Sequence, residues 1–171
     1  MLRVFPALLL LAALVLAACG GDEPARTEVP PGALIQQPDS IPFTKHGELQ
    51  IVRPDGRVIV DLAIEIADSD SATQRGLMQR SGLPEDSGML FIFPNPRPLS
   101  FYMANTPLSL DIMFFSPDSE FLNAATYTQP FSPENLTSEG IGQFVLETEA
   151  GFVDQVGLTQ GDRITWTRTD R

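Results

Sequence analysis

Between Val58 and Ile66 the aliphatic residues Val58, Val60, Leu62, Ile64 and Ile66 alternate with Ile59, Asp61, Ala63 and Glu65. A period of two makes one face of an extended segment apolar, which suits a half-buried β-strand and not a helix. Just upstream, Pro54-Asp55-Gly56 supplies a fixed φ, a side-chain acceptor and a residue free to take positive φ, so Leu49–Val52 and Val58–Ile66 are predicted to form a β-hairpin. Asp68-Ser69-Asp70-Ser71 then offers several N-caps for a short helix over Ala72–Arg80, with Leu77 and Met78 turned inward and Gly82 and Pro84 ending it. Gly88–Phe93 reads as a buried strand stopped by Pro94 and Pro96, and Leu99–Met103 as its hairpin partner. Leu110–Phe115 and Phe121–Tyr127 flank the turn Ser116-Pro117-Asp118-Ser119; Gln143–Glu147 and Arg163–Thr167 add strands, and Gly151–Val156 a helical turn. The expected fold is mainly β (α+β), a small curled sheet or barrel of about seven to eight short strands with one or two short helices.

Ahead of this domain stands a different kind of sequence. Met1-Leu2-Arg3 opens on a positive charge, and Val4–Ala18 is a run of Leu, Ala and Val broken by Pro6, too short for a comfortable membrane span and suited to a signal peptide. It ends Leu16-Ala17-Ala18-Cys19-Gly20, which resembles the bacterial lipobox, and Cys19 is the only cysteine in the chain. Lipidation of Cys19 would account for an unpaired thiol in an exported protein and give stable anchoring through two or more acyl chains. Gly20 in place of Asp favours the outer membrane if the organism is diderm. Residues 1–18 are therefore read as a lipoprotein signal peptide and 19–47 as the lipidated cysteine with a Pro-rich flexible linker. Residues 48–171 are read as one globular β-rich domain. Lys45 and His46, at the end of the linker, are given no role.

Charge and inventory exclude several functions. The 171 residues carry 22 acidic and 11 basic groups, and loss of residues 1–18, which hold Arg3 and no acid, moves the net charge from -11 to -12. No Lys/Arg cluster offsets that sign, so nucleic-acid partners are disfavoured. One cysteine and one histidine, both outside the domain, leave no Cys/His metal site, disulfide framework or core histidine base, and no cofactor is expected. Ser100 and Ser109 lack a base to activate them, and Gly140-Ile141-Gly142 does not continue as a phosphate loop. The sequon Asn135-Leu136-Thr137 is read as chance in an envelope lipoprotein.

Four segments together carry a family resemblance: Arg75-Gly76-Leu77-Met78, Gly88-Met89-Leu90-Phe91-Ile92-Phe93, Phe101-Tyr102-Met103-Ala104-Asn105-Thr106 and Leu110-Asp111-Ile112-Met113-Phe114. With Phe144-Val145-Leu146-Glu147, Ala150-Gly151 and Gly161-Asp162, this order resembles the bacterial and archaeal domain of unknown function 192, over about Leu62–Ile164. The resemblance implies a compact, mainly β, often exported domain and brings no activity or ligand. Tyr102 stands where that family usually has Trp, and Ala104 where Lys is common.

Polar residues set in apolar motif segments are the candidate ligand site: Arg75, Tyr102, Asn105 and Asp111. Arg75 has the planar fork for a carboxylate, and Asp111, a charge at the head of an apolar strand, is its natural internal partner if the role is structural. Asn105 suits a left-handed turn. The expected protein is a monomeric, non-enzymatic module binding a small molecule, glycan or peptide in the cell envelope. Three alternatives stand beside it: a hydrolase using Asp111 with Glu147, a Cu(I) site of Met78, Met89, Met103 and Met113, and an envelope scaffold with a protein partner.

Overall fold

The computed structural model describes residues 41–169. The signal segment, Cys19 and all of the expected linker up to residue 40 lie outside the described residues. The elements are β1 (Gly47–Val52), β2 (Val58–Ala67), α1 (Asp70–Arg75), β3 (Ser87–Arg97), β4 (Ser100–Phe101), β5 (Leu110–Phe115), β6 (Phe121–Ala125), β7 (Leu136–Thr137), β8 (Gly142–Glu149), α2 (Phe152–Val156) and β9 (Arg163–Arg168). Seven strands form one mixed sheet in the order β6-β5-β8-β3-β2-β1-β9, and β4 pairs with β7 apart from it. All pairs are antiparallel except β2 with β3, the two strands joined through α1.

Strand alternation sorts the core onto two faces. Leu62, Ile64 and Ile66 of β2, Leu90 of β3, Met113 and Phe115 of β5 and Leu146 of β8 pack together, with Phe152, Val153 and Val156 of α2 against them. Met89, Phe91 and Phe93 of β3, Leu110, Ile112 and Phe114 of β5 and Val145 of β8 face the other way, under Leu77, Leu99, Met103 and Phe101. The central strands are thus covered on both sides, which is why they read as unbroken apolar runs.

The β1–β2 hairpin forms as expected, with Gly56 at φ +85° in its turn and Gly56 N–H donating to the Arg53 carbonyl. Ser69 is the N-cap of α1, accepting from Ala72 N–H. The helix is shorter than expected because Gly76, at φ 49° and ψ -134°, turns the chain out after Arg75. Two further expectations are corrected. Leu99–Met103 does not form a hairpin with Gly88–Phe93: both edges of β3 are taken, by β2 and β8, and β4 goes to β7. Nor do Pro94 and Pro96 stop β3, which runs to Arg97. They fall where its ladder to β8 is interrupted, between Ile92 and Arg97, so no N–H is missed there.

The sheet curls but does not close into a barrel. Its two edge strands approach only at an isolated bridge, Glu120 to Arg163. Farther along, β6 is met by side chains and a loop: Gln160 donates to the Leu122 carbonyl, and Asn123 bridges the Thr137 carbonyl and Glu139 N–H. These contacts occupy the edge that a closing ladder would need.

Residues before β1 already pack on the domain. His46 N–H donates to the Ile64 carbonyl, its carbonyl accepts from Thr169, and its Nδ1 accepts from Ile66 N–H at 3.0 Å. The Pro42 carbonyl and Thr44 N–H reach Arg80 and Glu65, which form a buried ion pair at 2.6 Å.

Candidate functional site

A cleft of about 190 Å³ opens between α1 with its following turn and the segment around β4, on the sheet face carrying Phe91 and Phe93. Its floor is aromatic. Phe101 sets its ring edge-to-face against Phe91, Phe93 and Phe114 at centroid distances of 5.0, 6.1 and 6.0 Å. Such T-shaped contacts hold the rings in fixed orientation beyond what area burial alone does. Leu77 and Leu99, both buried, complete the apolar wall.

Two guanidinium groups line this cleft. Arg75, the last residue of α1, is exposed, and its side chain has neither hydrogen bond nor ion pair among the described residues. Arg97, between Pro96 and Pro98, is likewise without a carboxylate, and its Cζ lies 5.0 Å from the centroid of the Phe93 ring. That cation–π contact keeps a charged fork over an apolar surface with its N–H edges free. Tyr102, 48% exposed, and Thr106, buried, contribute hydroxyls to the walls.

At the bottom is a carboxyl group. Glu147 on β8 is 6% exposed and lines the cleft, and its carboxyl has no hydrogen-bond partner among the described residues. Burial pushes its pKa up to about 8, and no nearby cation offsets that shift. The C-cap of α1 closes over it: a methyl placed on Gly76 would stand 4.0 Å from Glu147 Oε2 and 3.3 Å from Phe91 Cζ. At neutral pH the cleft therefore holds a protonated carboxyl at its floor and fixed positive charge along its lining.

The four residues expected at the site separate into two groups. Arg75 and Tyr102 share the cleft. Asn105 is exposed outside its lining, at φ 61°, with its carbonyl accepting from Gln79 N–H, the left-handed turn role its residue type suits. Asp111 is fully buried elsewhere. Its Oδ1 accepts from Tyr127 N–H at 2.9 Å, and its Oδ2 from Gly151 and Val153 N–H at 3.1 and 2.9 Å, tying β5 to the start of α2. Arg75 and Asp111 do not pair.

Register also bears on the alternatives. Ile112 is the cross-strand neighbour of Glu147, and Asp111 that of Thr148. Because side chains alternate, Asp111 and Glu147 point to opposite faces of the sheet and cannot flank one bond. The methionines are divided in the same way, Met113 on one face and Met89 and Met103 on the other, so these three sulfurs do not converge. Arg97 and the solitary Glu147 were the less legible members of the site. Glu147 had one signal, an acid in phase with Val145 in the run Phe144-Val145-Leu146-Glu147, whereas Arg97 between prolines had none.

The family model DUF192, described as "Uncharacterized ACR", matches residues 50–166. A protein from Sinorhizobium meliloti 1021, provisionally described as a transcription regulator, is similar in structure with a TM-score of 0.67 and 31% identity, over 73% of this chain and 98% of its own. A protein of unknown function from Novosphingobium aromaticivorans DSM 12444 is similar at TM-score 0.65 and 29% identity, over 70% of this chain and 84% of its own. No curated protein matches the chain.

Proposed function

We propose, from the premise that this chain belongs to the DUF192 family, that it is a non-enzymatic binding module that takes a small ligand bearing an anionic group in the cleft between α1 and β4. The observation that carries this reading is the presence on one aromatic-floored cleft of two guanidinium groups, Arg75 and Arg97, without carboxylate partners among the described residues. In a chain of net charge -11, unpaired arginines gathered at one concavity are a local exception that suits an incoming anion. Tyr102 and Thr106 would orient the ligand, while Asn105 and Asp111 hold the surrounding turns. The cleft is smaller than a drug-sized site, so it fits a small molecule or the end of a glycan or peptide.

The signal-like residues 1–18 and Cys19 support export and a lipid anchor, which would place this monomer at the cell envelope, on the outer membrane in a diderm organism. A regulator's role, provisionally given to the Sinorhizobium protein, would ask for a basic face that this acidic sequence does not supply.

The test is calorimetric titration of the full chain with hexanoate, a carboxylate on an apolar tail. Arg75→Ala and Arg97→Ala should each weaken binding about tenfold, equivalent to about 1.4 kcal/mol, with thermal stability unchanged because neither fork holds another element. Hexanoate affinity unchanged in the double variant would refute the reading.

A further inference from the structure

The cleft is bipolar along β3. Glu147 is the cross-strand neighbour of Met89, at one end. Phe91 and Phe93 follow on the same face, and Arg97 comes at the other end. Successive same-face positions on a strand are roughly 6–7 Å apart, so the acid and the Arg97 fork are separated by two rings and do not touch. The separation is also chemical. The charged or titratable side chains lining the cleft are Arg75 from α1, Arg97 from β3, the Tyr102 phenol beside β4 and Glu147 from β8. Burial alone moves Glu147, with no contribution from either guanidinium.

A buried carboxyl aimed into a cleft without a partner is costly to keep, since an unmet polar group forfeits its hydration. The other buried carboxylates among the described residues each have donors on at least one oxygen, although Asp162 Oδ1 itself has none. Glu65 is paired by Arg80, Asp162 accepts from Arg53 and Thr159, and Asp111 holds three backbone amides. Glu147 is the exception among the described residues in facing the cleft with neither cation nor hydrogen-bond donor. Its missing partner is then a group carried by the ligand.

Building on the anionic-ligand reading above, we propose that the cleft binds a zwitterion whose two charges are separated by an apolar spacer. The ammonium group lies on Glu147, the spacer over Phe91 and Phe93, and the anionic group on Arg97 and Arg75. Binding would convert the protonated Glu147 to its carboxylate, the proton leaving to solvent as the ammonium arrives.

The test titrates the full chain at pH 7 with 6-aminohexanoate, hexanoate and hexylamine, each in two buffers of different ionisation enthalpy. The expected result is that 6-aminohexanoate binds about tenfold more tightly than hexanoate and releases close to one proton, while hexanoate releases none. Glu147→Gln should bring 6-aminohexanoate down to the affinity of hexanoate and leave hexanoate itself unchanged. Equal affinity of the two acids, or an undiminished preference in Glu147→Gln, would overturn this proposal while leaving the anion site standing. Binding by none of the three probes would overturn both.

Discussion

Single residues in this protein show how one chemical group serves opposite ends according to its neighbours. Asp111 and Glu147 are carboxyls on adjacent strands, both buried. Three backbone N–H groups satisfy Asp111, so Asp111→Ala strands three buried donors and should cost roughly 3–5 kcal/mol in chemical denaturation. Glu147 has no such donors, and burial holds its pKa at about 8, above the ordinary carboxyl value of 4.5. The native state then binds more protons at this group than the unfolded one between those two values, so the Glu147 contribution to stability is fully present below pH 4.5 and is lost as pH rises toward 8. The full penalty is about 5 kcal/mol at one pKa unit per 1.36 kcal/mol. Glu147→Gln should remove that part of the slope, so the variant should gain stability over the wild type at pH 8 and gain little at pH 4. Denaturation curves at both pH values check it.

At the scale of elements, α1 and the turn after it shape the cleft, and Gly76 is the point where the helix must leave. At positive φ, with Phe91 3.3 Å from an added methyl, Gly76→Ala should destabilise by about 1–2 kcal/mol and lower probe affinity, measurable by melting and titration on the same sample. The Arg80–Glu65 pair fastens the segment that precedes β1. Arg80→Met alone should cost about 3–5 kcal/mol by leaving a buried charge, and the double change with Glu65→Leu should recover most of it; a double-mutant cycle reads this directly. Many of the strands along the chain were legible in the sequence because alternation and turn residues are local: Val58–Ile66, Pro54-Asp55-Gly56 and the Ser116–Ser119 turn all declare themselves. What was not legible is long-range. Glu65 falls on the polar side of its alternating strand, and only the arrival of Arg80 makes it interior. Nothing near Leu99–Met103 says that β3 is already paired on both edges, or that Leu136-Thr137 will supply the partner strand. The same holds for the site: Arg75 and Tyr102 stood out as polar residues in apolar motifs, but Arg97 joins them only through the course of β3, and Asp111 leaves them because its register turns it to the other face.

At the scale of the whole molecule, an acidic sequence carries a cleft lined by two arginines without carboxylate partners among the described residues, on an open sheet whose β6 edge is met by side chains and a loop. If Cys19 carries the anchor, Cys19→Ser should move the protein from the membrane fraction to the soluble one on cell fractionation without changing the melting temperature of the domain. Lipid would then set where ligand is met, and the cleft what is met. The zwitterion proposal depends on a Glu147 carboxyl that is buried at the cleft floor, has no hydrogen-bond partner among the described residues and faces the opening. The direct measurement is a pH titration of the Glu147 carboxyl carbon by NMR in the unliganded full chain, with Glu147→Gln identifying the signal. We expect a midpoint near 8. A midpoint near 4.5 would mean that water or a guanidinium already satisfies Glu147, and would contradict the assignment of this cleft as a site awaiting a cationic group.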